Sequence, residues 1–284
     1  MKIAGIVILY YPEDNVLQHI LTYSHALDKL YVADNSENKN KAITEQITAL
    51  PNVIYLHDGE NKGIAHRLNQ AAALAIAHGY QFLLTMDQDS YFENDAAVEY
   101  FNCISLYNNI ETTAMFGVEF LKQEDENKKC SPLEVTELIT SGSVLNLNVY
   151  TAVKGFDEAL FIDLVDHEYC YRSILFGYKI IQFKNIFLQH SLGTGFKGRS
   201  VATLKITNRT FHSPVRIYYM VRNYLYVKKK YASHFKPYID NHKKTILVRI
   251  KNNLIYGKNR IANITYILKA ITDYNKSRMG KIKE

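Results

Sequence analysis

Two carboxylates two residues apart, Asp87 and Asp89, end the segment Phe82-Leu83-Leu84-Thr85-Met86-Asp87-Gln88-Asp89-Ser90. The residues ahead of them read as a buried strand, so the pair falls just past its carboxyl end, in a turn. Two short acidic side chains in a turn can point at one hard cation, and oxygen ligands suit Mg²⁺ or Mn²⁺. The same letters also describe an ordinary polar turn, and alone they do not separate the two. A second constellation runs Gly155-Phe156-Asp157-Glu158 and then, over 161–172, FIDLVDHEYCYR. A helix opening near Asp163 takes that residue as its N-cap. Asp166 then lies in the first turn, where an acid favours the helix dipole by roughly 0.3–1 kcal/mol. Glu168 and Arg172 follow four apart, in the order that forms an ion pair.

These residues need a scaffold, and the apolar pattern supplies one. Strands are expected at 3–9, 30–33, 53–56, 82–86 and 114–118. Between them, Val16, Ile20, Leu21 and Leu27 mark one face of a helix over 15–27. An alanine-rich helix covers 63–78, with Gly79 as its stop. Strand–helix alternation implies an α/β layer fold with a largely parallel sheet. Ligands of such sheets sit beyond the carboxyl ends of the strands, where Asp87 and Asp89 lie. Haloacid-dehalogenase-type phosphatases also use two spaced aspartates, but after the first strand; here the pair follows the fourth and runs into Ser90-Tyr91. The run 122–129 is a solvated loop, and 135–190 returns to strand and helix. From about Pro214 the pattern becomes helical, with apolar stripes at Ile246, Leu247, Ile250, Leu254 and at Ile261, Ile264, Leu268, Ile271.

Composition bounds the alternatives. With 284 residues, 47% hydrophobic and 22% charged, the chain can bury a sizeable core. Cys103, Cys130 and Cys170 are odd in number and show no CxxC spacing, which argues against a disulfide framework or zinc site and for a reducing compartment. The opening MKIAGIVILYY reads as a first strand, not a signal peptide. The uncharged stretch 68–86 contains Asn69, Gln70, His78 and Gln81 and is a poor membrane span. Charge is uneven: residues 228–284 hold 15 Lys and Arg against Asp240, Asp273 and Glu284. Such asymmetry suits a polyanion or an anionic membrane.

From residue 3 to about 223 the sequence resembles the family-2 glycosyltransferases, and among them the bacterial rhamnosyltransferase-like branch. The resemblance is carried by Leu9-Tyr10-Tyr11-Pro12, Asp34-Asn35-Ser36, Asn61-Lys62-Gly63-Ile64-Ala65 leading to Asn69, and Asp87-Gln88-Asp89-Ser90. It continues through Ser141-Gly142-Ser143, Gly155-Phe156-Asp157-Glu158, the 161–172 block, and His190-Ser191-Leu192-Gly193. His212-Ser213-Pro214 with Arg216, Tyr218-Tyr219 and Arg222-Asn223 ends it. Each motif is weak alone; their order and spacing are specific. The basic tail is not covered.

The resemblance implies a GT-A catalytic domain over 1–213: a Rossmann-like, mixed and mainly parallel sheet flanked by helices. Nucleotide-sugar binding falls at about 1–120 and the acceptor side at about 121–213, followed by a basic, tyrosine-rich helical region over 214–284. By the same resemblance Tyr10, Asp34, Asn35, Gly63, Arg67 and Gln88 line the nucleotide site, with Asp34 able to accept an imide N–H. Gly63 lets backbone approach the nucleotide, Arg67 reaches a phosphate or is solvated, and Asn69 braces the Asp87–Asp89 turn. Asp87, Asp89 and His190 hold Mn²⁺ or Mg²⁺. Ser141, Gly142, Asp163 and His167 face donor sugar or acceptor, and Asp166 matches the catalytic base of an inverting transfer. Relatives often carry Glu-Asp at that position; here it is Val165-Asp166, a form that recurs in the rhamnosyltransferase-like branch.

The implied reaction moves a sugar, with L-rhamnose from dTDP-rhamnose as the family-level donor, to a bacterial polysaccharide or lipid-linked glycan. The tail suits recruitment to an anionic membrane surface, since basic residues there contribute about 1 kcal/mol each. Nine of the 22 tyrosines lie between Tyr218 and Tyr274, and such amphipathic rings favour an interface. The expected place is cytoplasmic and peripheral, at the inner face of the membrane. No nucleic-acid motif accompanies the basic residues, and nucleic acid is not an expected partner. Two rivals stay open: a sugar-phosphate nucleotidyltransferase, which would not need Asp166, and a non-enzymatic membrane scaffold.

Overall fold

The run Ile3–Leu9 is buried at every residue and forms β1, as expected of a strand covered on both faces. The computed structural model describes residues 1–120, 130–190, 196–199, 206–209 and 211–283, with only the backbone of 190, 196–199 and 206–209. β1 pairs in parallel with β2 (Lys29–Asp34) and with β4 (Phe82–Asp87), and β2 pairs in parallel with β3 (Val53–His57). Beyond β4 the sheet is mixed. β8 (Ser143–Asn146) runs antiparallel to β4 and to β6 (Thr113–Glu119). β6 then pairs in parallel with β9 (Lys179–His190), on which β5 (Ser90–Phe92) and β7 (Pro132–Glu134) lie antiparallel. The spatial order is β3-β2-β1-β4-β8-β6-β9-β5.

Helices α1 (Val16–Ser24), α2 (Lys41–Thr48), α3 (Ile64–Ala77), α4 (Ala96–Ser105), α5 (Leu147–Ala152) and α6 (Val165–Leu175) flank this sheet. In α3, Ala65, Ala71, Ala72 and Ala75 are fully buried, and their small side chains let the helix lie close on the strands. Its end has the doubly bonded turn that glycine favours: Gly79 (φ +76°) donates to the Ile76 carbonyl at 3.0 Å and Tyr80 donates to the Ala75 carbonyl at 2.9 Å. α2 escapes the apolar pattern because only Ile43 and Ile47 are buried; its signal is Asn40, whose side chain accepts from the N–H groups of Ala42 and Ile43.

The chain divides into two compact units, Met1–Phe161 with Val165–Ser191, and Ile162–Leu164 with Leu192–Glu284. The second unit contains the hairpin β10 (Phe196–Arg199) and β11 (Ile206–Arg209), and α7 (Pro214–Tyr231), α8 (Lys236–Ile255) and α9 (Arg260–Asn275). Its interior mixes aliphatic side chains such as Ile217, Val227 and Ile239 with aromatic and polar ones. Arg222 is fully buried, 5.1 Å from the ring centres of both Tyr218 and Tyr219, and donates to the Gly280 carbonyl at 2.7 Å.

The expectation of three free thiols is corrected. Cys103 of α4 and Cys130 form a disulfide with Cα atoms 5.1 Å apart. Their separation of 27 residues carries no spacing motif, so only the fold brings them together. Cys170 is free and buried, and burial pushes its thiol up.

Candidate active site

Register sets the site's floor. Ile8 lies opposite Asp87, and Leu9 opposite Asp34, so the ends of β1, β2 and β4 open at one edge of the sheet. Gln88 ties two of these ends together: its Oε1 accepts from the Tyr10 N–H at 2.8 Å and its amide donates to the Tyr10 carbonyl at 3.3 Å. The ring of Tyr10 is left 47% exposed, 4.8 Å from that of Tyr11. Asp34 is buried; the Tyr55 hydroxyl donates to it at 2.5 Å and the Ser36 N–H at 2.9 Å. Burial first, then the Asp34 carboxylate, pushes the Tyr55 hydroxyl up to about 12, which keeps it a donor.

Arg67 is neither solvated nor turned to a phosphate. Its side chain is 1% exposed, and its guanidinium reaches Asn35 Oδ1 (2.9 Å), both Asp58 oxygens (3.1 and 2.6 Å), Gln70 Oε1 (3.0 Å) and the Glu60 carbonyl (2.9 Å). All five of its donors are spent on protein. Asn35 in turn accepts from the Lys62 N–H at 3.1 Å, so this network fixes the loop from Asp58 to Lys62. The Arg67 guanidinium holds the Asp58 carboxyl well below the usual carboxylate range. That contribution to stability is present above the ordinary carboxylate value and lost as pH falls through the depressed one. Arg67→Met leaves Asp58 paired with Lys62 alone, at 2.6 Å, and strips buried Asn35 of a donor; it should lower stability by about 1–3 kcal/mol and reduce the acid-side loss, as read by urea melts across pH.

Two further expectations change partners. A Cβ on Gly63 (φ +85°) would meet the Phe161 ring at 2.5 Å and the Phe161 carbonyl at 2.6 Å, so this glycine admits the chain ahead of α6. Asn69 braces the 155–158 loop instead of the Asp87–Asp89 turn: it accepts from the Phe156 N–H (2.9 Å) and the Tyr150 hydroxyl, and donates to the Phe156 carbonyl (3.0 Å) and Glu158 (2.8 Å).

The Asp87–Asp89 turn leaves β4 half-buried and re-enters the sheet at Ser90, whose register partner in β9 is His190. The side chain of His190 lies outside the described residues. Ser141 props the turn, donating to Ser90 Oγ at 2.7 Å and accepting from the Asp87 N–H at 3.4 Å. Gly142 (φ +72°) donates to the Thr85 carbonyl at 2.9 Å and packs under Leu188 and Val118. Two partly exposed aspartates in a braced turn fit a hard divalent cation, and strand register brings His190 to the same end.

α6 opens at Val165, later than expected. Asp163 has φ +69° and does not cap it. Asp163 belongs to the second unit, where Arg216 grips its two oxygens, each at 2.7 Å. Asp166 does lie in the first turn, its side chain 17% exposed, and its Oδ1 accepts from the His167 N–H at 2.9 Å and meets His167 Nδ1 at 2.7 Å. Burial raises the Asp166 carboxyl, and the charge and hydrogen bonds of His167 outweigh it, holding the group below its ordinary value. His167 Nε2 in turn lies 4.0 Å from Glu137. The Glu168–Arg172 pair forms as its spacing indicates, at 2.7 Å, and Arg172 also donates to the Gly155 carbonyl at 2.7 Å. Tyr55 and Glu137 carry no local signal; each is known only from its distant partner.

No protein-family model matches the chain. A curated relative, dTDP-rhamnosyl transferase RfbF of Shigella flexneri, is 27% identical over 251 residues, covering 81% of each chain. Among solved structures, GalNAc-T7 with UDP, GalNAc and Mn²⁺ superposes with a TM-score of 0.61 at 12% identity, over 97% of this chain. This chain spans only 54% of the GalNAc-T7 chain. TarS 1-349 of S. aureus, solved with UDP-GlcNAc, gives 0.55 at 15% identity over 98% of this chain and 81% of its own. The mixed sheet and these likenesses agree: the chain is a glycosyltransferase with the GT-A fold, similar to the rhamnosyltransferase-like branch of family 2.

Proposed function

We propose that the chain transfers a sugar from a nucleotide-sugar donor to a glycan hydroxyl by a single inverting displacement that depends on a divalent cation. The curated relative's name supports dTDP-rhamnose as the donor; a bacterial polysaccharide or lipid-linked glycan is the acceptor class in this reading. One observation carries the reading: the segment from Glu137 to Ser141 touches both halves of the chemistry. Glu137 stands beside His167, the partner of Asp166, while Ser141 props the Asp87–Asp89 turn. Four residues span at most about 14 Å, so one short segment braces both the neighbour of Asp166 and the Asp87–Asp89 turn.

Asp166 accepts the proton of the attacking hydroxyl, and His167 keeps its carboxylate ionised and oriented. Tyr10 offers an exposed ring to the base. Asp34 uses two of a carboxylate's roughly four acceptor positions on Tyr55 and Ser36, leaving others for an imide N–H. Asp87 and Asp89, with His190 as the resemblance implies, would hold Mn²⁺ or Mg²⁺, and the cation would neutralise charge on the departing diphosphate. Ser141 and Gly142 support the donor side by fixing this turn. The basic C-terminal region brings the enzyme to an anionic membrane surface; among the described residues no helix is long and apolar enough to cross one. A thermal-shift panel of nucleotide sugars with Mn²⁺ tests the donor. At a hundred times its Kd the true donor stabilises by about 2.7 kcal/mol, and an unchanged midpoint with every nucleotide sugar would overturn the reading.

A further inference from the structure

We infer that the outward face of α9 is a lipid-contact surface that seats the protein in the headgroup region of an anionic bilayer; this deepens the membrane association proposed above and rests on it. α9 is built inside out. Ile261, Ile264, Leu268 and Ile271 are 82%, 50%, 59% and 41% exposed, and at 3.6 residues per turn they fall within roughly 80° of one another. Its buried residues are Asn263, Ala270 and Asp273. Both polar ones are engaged inward: Asp273 accepts from the Tyr218 hydroxyl at 2.9 Å and lies 3.8 Å from Arg278, and Asn263 accepts from Asn253 at 3.3 Å. Folding of the second unit therefore leaves a large part of four apolar side chains uncovered in one row. Single exposed apolar residues are common, but a row on one helix face marks a contact surface.

Charge selects the occupant. Arg260 and Lys276 are exposed at the two ends of α9, Lys258 stands exposed just ahead of it, and Lys269 is half-exposed within it. The single acid of α9, Asp273, is buried. A second copy laid against this face would bring cations against cations, whereas anionic headgroups meet them with opposite charge. Sixteen residues make a helix of about 24 Å, and its one-sided apolar row suits a helix lying in the interface plane. α8 shows the same mixture, with Leu247, Val248 and Ile255 at 54%, 50% and 45% exposed and Lys244 and Lys251 exposed among them.

The chain contains no tryptophan, so one introduced indole is a clean reporter. Leu268→Trp in the full chain should shift its emission to the blue with phosphatidylglycerol vesicles and be quenched by brominated acyl chains. Ile76→Trp, exposed on α3, should do neither. The double variant Ile264→Asn/Leu268→Asn, with an unchanged circular dichroism spectrum, should lose vesicle binding by about 10–100-fold. If wild type binds anionic vesicles but Leu268→Trp is unquenched and the double variant binds equally well, the α9 inference fails and the broader membrane reading survives. If wild type ignores anionic vesicles, both fail. A salt-resistant dimer that the double variant dissolves, without vesicle binding, assigns the face to a second copy and also overturns it.

Discussion

Asp166→Asn binds nucleotide-sugar donor as wild type does and transfers sugar about 10²–10⁴-fold more slowly, the range a positioned general base supplies. The substitution keeps the side chain's size and an oxygen to accept from the His167 N–H, which now holds Asp166 at 2.9 Å. What is lost is the charge and the ability to take a proton. A role confined to the helix dipole, worth roughly 0.3–1 kcal/mol, would instead appear as a small loss of stability with the transfer rate intact. Single-turnover rates beside donor titrations separate the outcomes. Because His167 holds the Asp166 carboxyl below its ordinary value against the opposing effect of burial, the wild-type rate should stay level as pH falls from neutrality into the ordinary carboxylate range. A rate that halves near the ordinary value would show Asp166 is not the ionised group required.

Chelation with EDTA should abolish donor turnover, and Mn²⁺ or Mg²⁺ should restore it. Unit charges about 4 Å apart attract by roughly 4 kcal/mol at an effective dielectric near 20, equivalent to about 10³-fold in rate, and the proposed cation is divalent. Asp89→Ala should show a loss of this order that added metal does not recover. Asp89 is half-buried in a turn whose backbone Ser141 and strand pairing already fix, so its thermal midpoint should move little. Full turnover in EDTA would reduce Asp87 and Asp89 to an ordinary strand-end turn.

Strand positions, the alanine helix with its glycine stop and the Glu168–Arg172 pair were legible in the sequence because each rests on neighbours a few residues away. Arg67 was not, because a buried and a solvated arginine look alike until Asp58 and Asn35 are placed around it. Gly63 was read toward the nucleotide and Asn69 toward the Asp87–Asp89 turn, but both face the chain between Gly155 and Phe161, contacts that span about 90 residues of sequence. The Asp163 N-cap failed because a positive φ at Phe161, Asp163 and Leu164 leaves no trace in residue type. The stripe on α9 shows the limit of periodicity: it reveals that a helix has an apolar face and says nothing of which way that face points.

The Cys103–Cys130 bond has a practical consequence for any melting experiment. A cross-link closing about 27 residues is worth roughly 3–4 kcal/mol in the chain-entropy account, as much as saturation by a well-bound donor. Samples handled with and without thiol reductant are, thermodynamically, different molecules. A shift attributed to ligand is meaningful only when both arms of the comparison share one redox history.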